Sequence, residues 1–190
     1  VVVTDVVQKT VPIYGEYVAQ TDARETVEIR ARVQAFLEAQ HFTEGTIVKK
    51  NQLLFTLDKR EFEAKLQQAK AELEIAMARL GKAETDERRL KPLAERRAIG
   101  QKEADDAQSN VDLANASVKA AQAKLAEVQL HLGYTRVTAP IGGLSSRAPK
   151  SEGSLVNANE TLLTTVSQVD PMWVPFSIAE NEQLALNRAV

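Results

Sequence analysis

The sequence predicts an α+β fold in which a long antiparallel α-helical coiled-coil hairpin is inserted into a small β-sandwich. Residues 59–131 are rich in strong helix formers and carry apolar residues at coiled-coil spacing, whereas the flanking segments alternate apolar and polar residues as strands do. The two flanking segments also repeat each other. Because neither can bury its apolar face alone, we expect them to pack together about a pseudo-twofold axis.

Two apolar series define the hairpin. Their residues follow one another in alternating steps of four and three, which is the seam of a left-handed coiled coil. The first series is Phe62, Leu66, Ala69, Leu73, Ala76, Leu80 and Ala83, and the second is Ala104, Ala107, Val111, Ala114, Val118, Ala121, Leu125, Val128 and Leu132. Pro92 and Gly100 lie between them, so we place the turn at 91–100 and the hairpin tip at about 88–100. The alternative interpretation of the two apolar series is a pair of core helices in a helical bundle.

An internal repeat relates the two flanking segments. A shift of 108 positions places 44–48, Glu-Gly-Thr-Ile-Val, on 152–156, Glu-Gly-Ser-Leu-Val, and Asn51 on Asn159. This agreement is too long to follow from strand composition alone. The repeat therefore predicts two equivalent halves of one sandwich, interrupted by the helical hairpin.

Four residues of the repeat are predicted to have structural roles in turns. Gly45 and Gly153 are expected to supply a positive φ, and Asn51 and Asn159 tolerate the left-handed region in the following turn. The pair Gly142-Gly143 is also assigned to a turn.

Composition and motifs exclude several classes of function. Net charge is −2, with 24 basic and 26 acidic residues, so no global field attracts nucleic acid. Cysteine is absent, which excludes disulfides, zinc–thiolate sites and cysteine nucleophiles in this chain. His41 and His131 have no carboxylate cluster at ligand spacing, so we predict no metal site and no enzyme. No apolar run approaches the ~20 residues of a membrane-spanning helix.

The chain is expected to be a fragment. It begins at Val1 rather than methionine and ends within a helical pattern. Targeting or anchoring segments are expected to have been removed at both ends.

The paired half-motifs resemble the lipoyl/biotinyl-type β-sandwich. In carrier domains of that family a short hairpin between the halves presents a lysine for cofactor attachment. Here the coiled coil replaces that hairpin and no lysine occupies an equivalent tip, so no cofactor is predicted. A carrier domain and a free structural coiled coil remain as rival interpretations.

A split lipoyl domain with an inserted helical hairpin resembles the periplasmic adaptor proteins, or membrane fusion proteins, of tripartite efflux pumps. The resemblance is closest to the branch that serves resistance–nodulation–division (RND) transporters. The residues that carry it lie at 42–58, 132–143, 152–156 and 169–174, and the Tyr-Thr-x-Val-x-Ala-Pro-Ile-x-Gly run that begins at Tyr134 is especially specific.

The resemblance implies a domain organisation. Residues 1–25 would belong to the membrane-proximal and β-barrel region, and 167–190 would begin the β-barrel domain. Residues 26–58 and 132–166 would be the lipoyl half-motifs, and 59–131 the hairpin between them.

The resemblance also implies a function. The protein would bridge an inner-membrane RND transporter to an outer-membrane channel for efflux of drugs and small toxic compounds. It would lie in the periplasm, attached to the inner membrane, and would self-associate as a hexamer in the assembled pump. The alternative is an adaptor of an ABC-type or type I secretion system.

The hairpin tip is the predicted partner-binding site. Arg89 and Leu93 match the family's tip pattern and favour the RND branch, but Gly100 stands where serine is usual. Arg96 is expected to join the contact. Five cations lie within 88–97 with Glu95 as the only acid, which indicates an acidic docking surface. A solvated loop is the alternative.

Overall fold

The computed structural model describes residues 16–179, and within them ten strands flank two long helices. The strands are β1 (Asp22–Ala23), β2 (Thr26–Arg30), β3 (Ala35–Gln40), β4 (Ile47–Val48), β5 (Leu53–Leu57), β6 (Arg136–Thr138), β7 (Gly143–Ser145), β8 (Leu155–Val156), β9 (Leu162–Ser167) and β10 (Met172–Trp173). The helices are α1 (Arg60–Glu95) and α2 (Gln101–Gly133), both between β5 and β6. The predicted insertion of a helical hairpin into a β-sandwich is confirmed. Expectations for 1–15 and 180–190 lie outside the described residues.

Each four-stranded sheet contains strands from both halves of the chain. One sheet has the order β2-β9-β7-β4 and the other β6-β5-β3-β8, with antiparallel pairing throughout. A shift of 108 residues converts the first order into the second. The halves therefore exchange strands about a pseudo-twofold axis, as the repeat predicts.

The exchange extends to individual hydrogen bonds. The Asn51 N–H donates to the Ala139 carbonyl at 2.7 Å, and the Asn159 N–H donates to the Ala31 carbonyl at 2.7 Å. Both asparagines have the left-handed backbone conformation, with φ of 65° and 62°. Each half thus closes a turn of its own on the backbone of the other half.

The repeated Glu-Gly pairs are built in the same reciprocal way. Gly45 and Gly153 have positive φ, 72° and 83°, where a glycine avoids the clash of a Cβ. The Glu44 carboxylate accepts a bond from the Ala148 N–H, and the Glu152 carboxylate accepts one from the Gln40 N–H, both at 2.9 Å. The two glutamates therefore hold each other's half in register.

The core of the sandwich lies between the inner faces of the two sheets. Its fully buried large side chains are Leu37, Val48, Leu54, Phe55, Leu57, Val156, Leu163 and Val166. Phe42 packs edge-on against Phe55 at a centroid distance of 5.2 Å. Ser145 occupies the repeat position of Leu37, and its buried hydroxyl donates to the Thr46 carbonyl at 2.8 Å. The repeat is therefore exact in topology but not in side-chain chemistry.

Gly143 does not lie in a turn, as the sequence suggested, but begins strand β7. It is buried against β9, where a Cβ would stand 2.3 Å from the Ser167 carbonyl oxygen. The glycine is needed for close approach of two strands and not for a positive φ.

The predicted seams are the contact between α1 and α2. All residues of both series are buried or half-buried. The remaining residues of α2 are all exposed. On α1 the seam continues through Glu87, Leu90 and Ala94. The many alanines allow the helices to approach closely but bury little apolar area per turn.

The hairpin is anchored to the sandwich at the ends of β5 and α2. The Leu57 N–H donates to the Thr135 carbonyl at 2.8 Å, and Phe62 of the first turn of α1 packs into the sandwich core. Asp58 lies two residues before the helix, where its carboxylate accepts the Arg60 N–H at 3.0 Å and pairs with the Arg60 guanidinium. These bonds to Arg60 lower the pKa of Asp58 to about 2.

Strands from the two segments that flank the sandwich in the chain form a short ribbon. Strands β1 and β10 pair antiparallel, with Asp22 opposite Trp173, and a bridge joins Ala19 to Phe176. Trp173 and Phe176 are more than half exposed. The ribbon is the described part of the region that the sequence assigned to a β-barrel.

Substitution of Gly143 tests the close approach of β7 and β9. We expect Gly143→Ala to lower the free energy of unfolding by ~3 kcal/mol or more, because the methyl group meets backbone that cannot move alone. The matched control is Gly133→Ala, where a Cβ meets nothing within 4 Å and helix propensity improves. Urea unfolding followed by circular dichroism measures both, and equal stabilities for the two variants would contradict the assignment.

Acid unfolding tests the role of Asp58. Its pKa of about 2 in the folded state lies below the ordinary value of 3.8, so its contribution to stability is complete above pH ~4 and is lost as the pH falls toward 2. We expect Asp58→Asn to be less stable than the parent at pH 5 and to approach it in stability near pH 2. A stability difference that does not change between these pH values would show that the carboxylate makes no such contribution.

Candidate functional site

The hairpin tip comprises the last turns of α1, residues 96–100 and the first turn of α2. The Ala98 N–H donates to the Leu93 carbonyl at 2.8 Å and the Arg97 N–H to the Ala94 carbonyl at 2.9 Å. Arg97 has a φ of 54°. This pair of bonds with a left-handed residue is the Schellman ending of a helix, usually made by glycine.

The turn lies later in the chain than the sequence predicted. Pro92 is inside α1, which continues to Glu95, so the reversal spans 96–100 instead of 91–100. Proline has no N–H to donate to the Arg88 carbonyl one turn earlier, so α1 lacks one backbone bond there, while the Pro92 carbonyl still accepts the Arg96 N–H. The reversal itself follows from the left-handed Arg97.

Three of the predicted tip residues share one side of the hairpin end. Arg89 and Leu93 are four residues apart on one face of α1, and Arg96, the C-cap, follows three residues later on the same side. The Arg89 side chain is 71% exposed and Leu93 is 37% exposed. An exposed leucine between two guanidinium groups presents both an apolar and a cationic contact to solvent.

Gly100 is the fourth predicted residue and is the N-cap of α2. Its backbone is extended, with φ −70° and ψ 146°, and no side chain caps the helix. Neither this φ nor the surrounding space requires glycine, since a Cβ would meet nothing within 4 Å. The N-cap position can therefore accept a serine without strain.

The tip is less strongly cationic than the charges within residues 88–97 suggest. Arg89 pairs with Asp86 at 2.7 Å, and Lys91 lies 3.7 Å from Glu87. Both acids precede residues 88–97, so the charges within that segment do not reveal these partners. Exposed ion pairs of this kind contribute little to stability. Because the two pairs do not involve Arg88, Arg96 or Arg97, the tip keeps an excess of positive charge at these residues.

An open groove runs between the two helices just below the tip. From α1 it is lined by basic Arg79, Lys82 and Arg89, and from α2 by acidic Glu103 and Asp106. Asp86, Ala83, Leu90, Ala107 and Asn110 complete the lining. The bases of this face therefore come from α1, whereas its acids come from both helices, with Asp86 of α1 paired to Arg89. Heptad assignment of these charged residues would have placed them on one face.

Other chemistry-bearing residues lie apart from the tip. His41 contacts the Thr56 hydroxyl at 2.6 Å, and the His131 ring lies 6.2 Å from that of Tyr134. Within residues 16–179, no three acidic or histidine side chains gather in an arrangement that could hold a metal ion. Neither α1 nor α2, the helices of the described residues, is apolar enough to cross a membrane.

The split sandwich with a projecting helical hairpin is the architecture of membrane fusion proteins. The model of one such family, the barrel-sandwich hybrid domain of RND membrane fusion proteins, matches residues 25–168. The chain belongs to this family.

Individual relatives agree with the family match. The chain is 38% identical over 184 residues to the efflux pump periplasmic linker BepD of Brucella suis biovar 1, covering 96% of this chain and 46% of BepD. It is 37% identical over 183 residues to the membrane fusion protein MtrC of Neisseria gonorrhoeae, covering 96% and 44%. The crystal structure of MacA from Actinobacillus actinomycetemcomitans superposes with a TM-score of 0.74 at 25% identity, covering 87% and 56%. The chain spans about half the length of the curated relatives it matches.

Substitution of Gly100 tests the capping of α2. We expect Gly100→Ser to raise the free energy of unfolding by a few tenths of a kcal/mol, because its hydroxyl accepts one of the free N–H groups of the first turn. Gly100→Ala, the matched control, is expected to lower it by ~0.5 kcal/mol. Thermal unfolding ranks the three proteins, and an alanine variant as stable as the serine variant would contradict the N-cap assignment.

Proposed function

We propose that the full-length protein is a periplasmic adaptor that bridges an inner-membrane RND transporter to an outer-membrane channel for efflux of drugs and small toxic compounds. The observation that carries the proposal is the exposed, cationic tip of a long hairpin that grows from a split sandwich of the RND family. At 1.5 Å per residue, helices of this size extend ~50 Å, which suits a spacer between two membrane proteins. The role is mechanical, and the energy comes from the transporter's proton coupling.

The tip is the proposed docking site for the channel. Leu93 offers the apolar contact, and Arg89 and Arg96 on either side of it offer charge to an acidic partner surface. Gly100 lacks the hydroxyl that serine would add at this place. The contact is therefore proposed to rest on the α1 side of the tip.

The rest of the chain is proposed to organise the assembly. Residues 26–58 and 132–166 form the sandwich that packs with other copies into a ring, with six copies in the assembled pump, and 59–131 form the bridging rod. The segments 1–25 and 167–190 are assigned to the region that seats on the transporter. The ribbon of β1 and β10 supports this assignment, because it pairs a strand of the first segment with a strand of the second.

Site-specific crosslinking in cells tests the docking site. We expect full-length protein with Leu93→Cys, treated with a heterobifunctional thiol-reactive photocrosslinker, to capture an outer-membrane channel. Met77→Cys is the matched control, since Met77 is 54% exposed on the same helix but lies far from the tip. Equal capture from both positions, or none from Leu93→Cys, would contradict the docking site.

A charge reversal at the tip gives an independent measurement. We expect Arg89→Glu combined with Leu93→Glu to abolish tolerance to toxic dyes while protein abundance in the envelope is unchanged. The control Lys70→Glu alters an exposed charge in the middle of the rod. Co-purification with an ATP-driven exporter in place of an RND transporter would instead favour the ABC-type alternative.

A further inference from the structure

A cleft lies where the two halves of the sandwich meet at the base of the hairpin. Its lining comes from β2 and β6, which are edge strands of the two sheets, and from the C-terminal end of α2. The cleft straddles the pseudo-twofold axis, because it is lined by the repeat-related pairs Ile29 with Val137 and Asn51 with Asn159. Its volume of about 780 Å³ is within the range typical of small-molecule sites. We call it the axis cleft.

The apolar part of the axis cleft is continuous with the sandwich core. Ile29 is a buried member of the core, and Val27, Val137 and Tyr134 pack against the core while lining the cleft. Leu130 of α2, which is 54% exposed, adds apolar surface from the rod. A ligand with an apolar body therefore gains free energy by removing this surface from water.

The axis cleft also carries an excess of positive charge. Arg30, Arg32 and Arg136 line it, and Glu28 is the acid of its described lining. The Glu28 carboxylate is already bound by the Arg30 guanidinium at 2.7 Å, so the charges of Arg32 and Arg136 are left over. Three other clefts of the described residues each contain as many carboxylates as lysine and arginine side chains. In a chain of net charge −2, the excess sets the axis cleft apart from those three.

The two remaining arginines of the axis cleft are available to a ligand. Both are exposed, and the ion pairs among residues 16–179 include neither Arg32 nor Arg136. The Arg32 guanidinium lies over the Tyr134 ring, with its Cζ atom 5.2 Å from the ring centroid. Stacking holds a guanidinium by its face and leaves the N–H groups at its edge available. A carboxylate accepts two parallel hydrogen bonds from such an edge.

We infer that the axis cleft binds an amphipathic organic carboxylate whose charged group is held by Arg32 and Arg136. The apolar body of the ligand lies on Val27, Ile29 and Val137. An inorganic anion would leave this apolar surface exposed to water, so the apolar body is as much a part of the inference as the charge. The cleft is separate from the hairpin tip, and the inference does not depend on docking there. A bound ligand contacts the rod and both halves of the sandwich together.

Protection of a thiol tests the ligand class and the place of binding together. Because residues 1–190 contain no cysteine, Thr138→Cys introduces a thiol into the exposed lining of the axis cleft, and its reaction with a maleimide can be followed in the full-length protein. We expect 2-naphthylacetate to slow this reaction in a saturable way. The matched control is Ser117→Cys, exposed on α2 away from the cleft, and its rate is expected to stay unchanged.

A neutral analogue separates the charge from the apolar body. The alcohol 2-(2-naphthyl)ethanol has the same ring system, and we expect it to need a concentration at least ~10-fold higher for the same protection, because a hydrogen bond to a charged group contributes about this factor or more. Equal protection by the acid and the alcohol would overturn the inference. Absence of protection by the acid would overturn it as well.

Replacement of the arginines identifies the groups that bind the carboxylate. In the Thr138→Cys protein, we expect Arg32→Gln with Arg136→Gln to raise the half-protective concentration of 2-naphthylacetate at least ~10-fold. Arg32→Lys keeps the charge but loses the planar stack on Tyr134, so an intermediate increase is expected. The matched control Arg147→Gln removes an exposed arginine from a cleft with balanced charges and is expected to have no effect. A double variant protected as well as the parent would overturn the inference.

Discussion

Neither half of the sandwich can complete its own sheets, and the rest of the molecule depends on this constraint. Strand β9 of the second half pairs with β2 of the first, and β5 of the first half pairs with β6 of the second. The glutamates of the repeated Glu-Gly pairs close loops across the same boundary. Because the two halves hold each other, the ends of β5 and β6 are fixed side by side, and the hairpin leaves the sandwich from a rigid base.

The hairpin has a different source of stability from the sandwich. Nearly half of the residues of its two apolar series are alanine, which limits the apolar surface that the seam buries, and most of its ion pairs are exposed and weak. Phe62 and the Leu57–Thr135 bond secure only the base. The rod consequently offers long exposed flanks and an exposed tip, which are surfaces suited to contact with other proteins rather than to enclosing a small ligand.

The sequence predicted the features that depend on periodicity. The predictions were wrong at residues whose position is determined by close contacts in the folded chain. The seam positions follow directly from the steps of three and four, and the repeat predicts the exchange of strands. The shortest strands, β1, β4, β8 and β10, have no periodic signal because each has two residues. Pro92 was misplaced in the turn because its helix continues to a left-handed arginine, which no propensity identifies. Gly143 resembles a turn residue in sequence, and only the backbone of Ser167 explains it. The docking roles of Arg89, Leu93, Arg96 and Gly100 remain predictions.

The reciprocal construction of the sandwich also constrains the order in which the chain folds. A ribosome delivers the second half several seconds after the first, at ordinary rates of synthesis. During that interval β2 lacks its neighbour β9, and β5 has β3 beside it but lacks β6, so the apolar residues of these strands are incompletely protected. The helices rely on local contacts and can form as they emerge, and their antiparallel association carries the late half back to the early one. Pairing of α1 with α2 brings the ends of the two halves together. The chain between them is then effectively a shorter loop, and closing the sandwich costs less entropy.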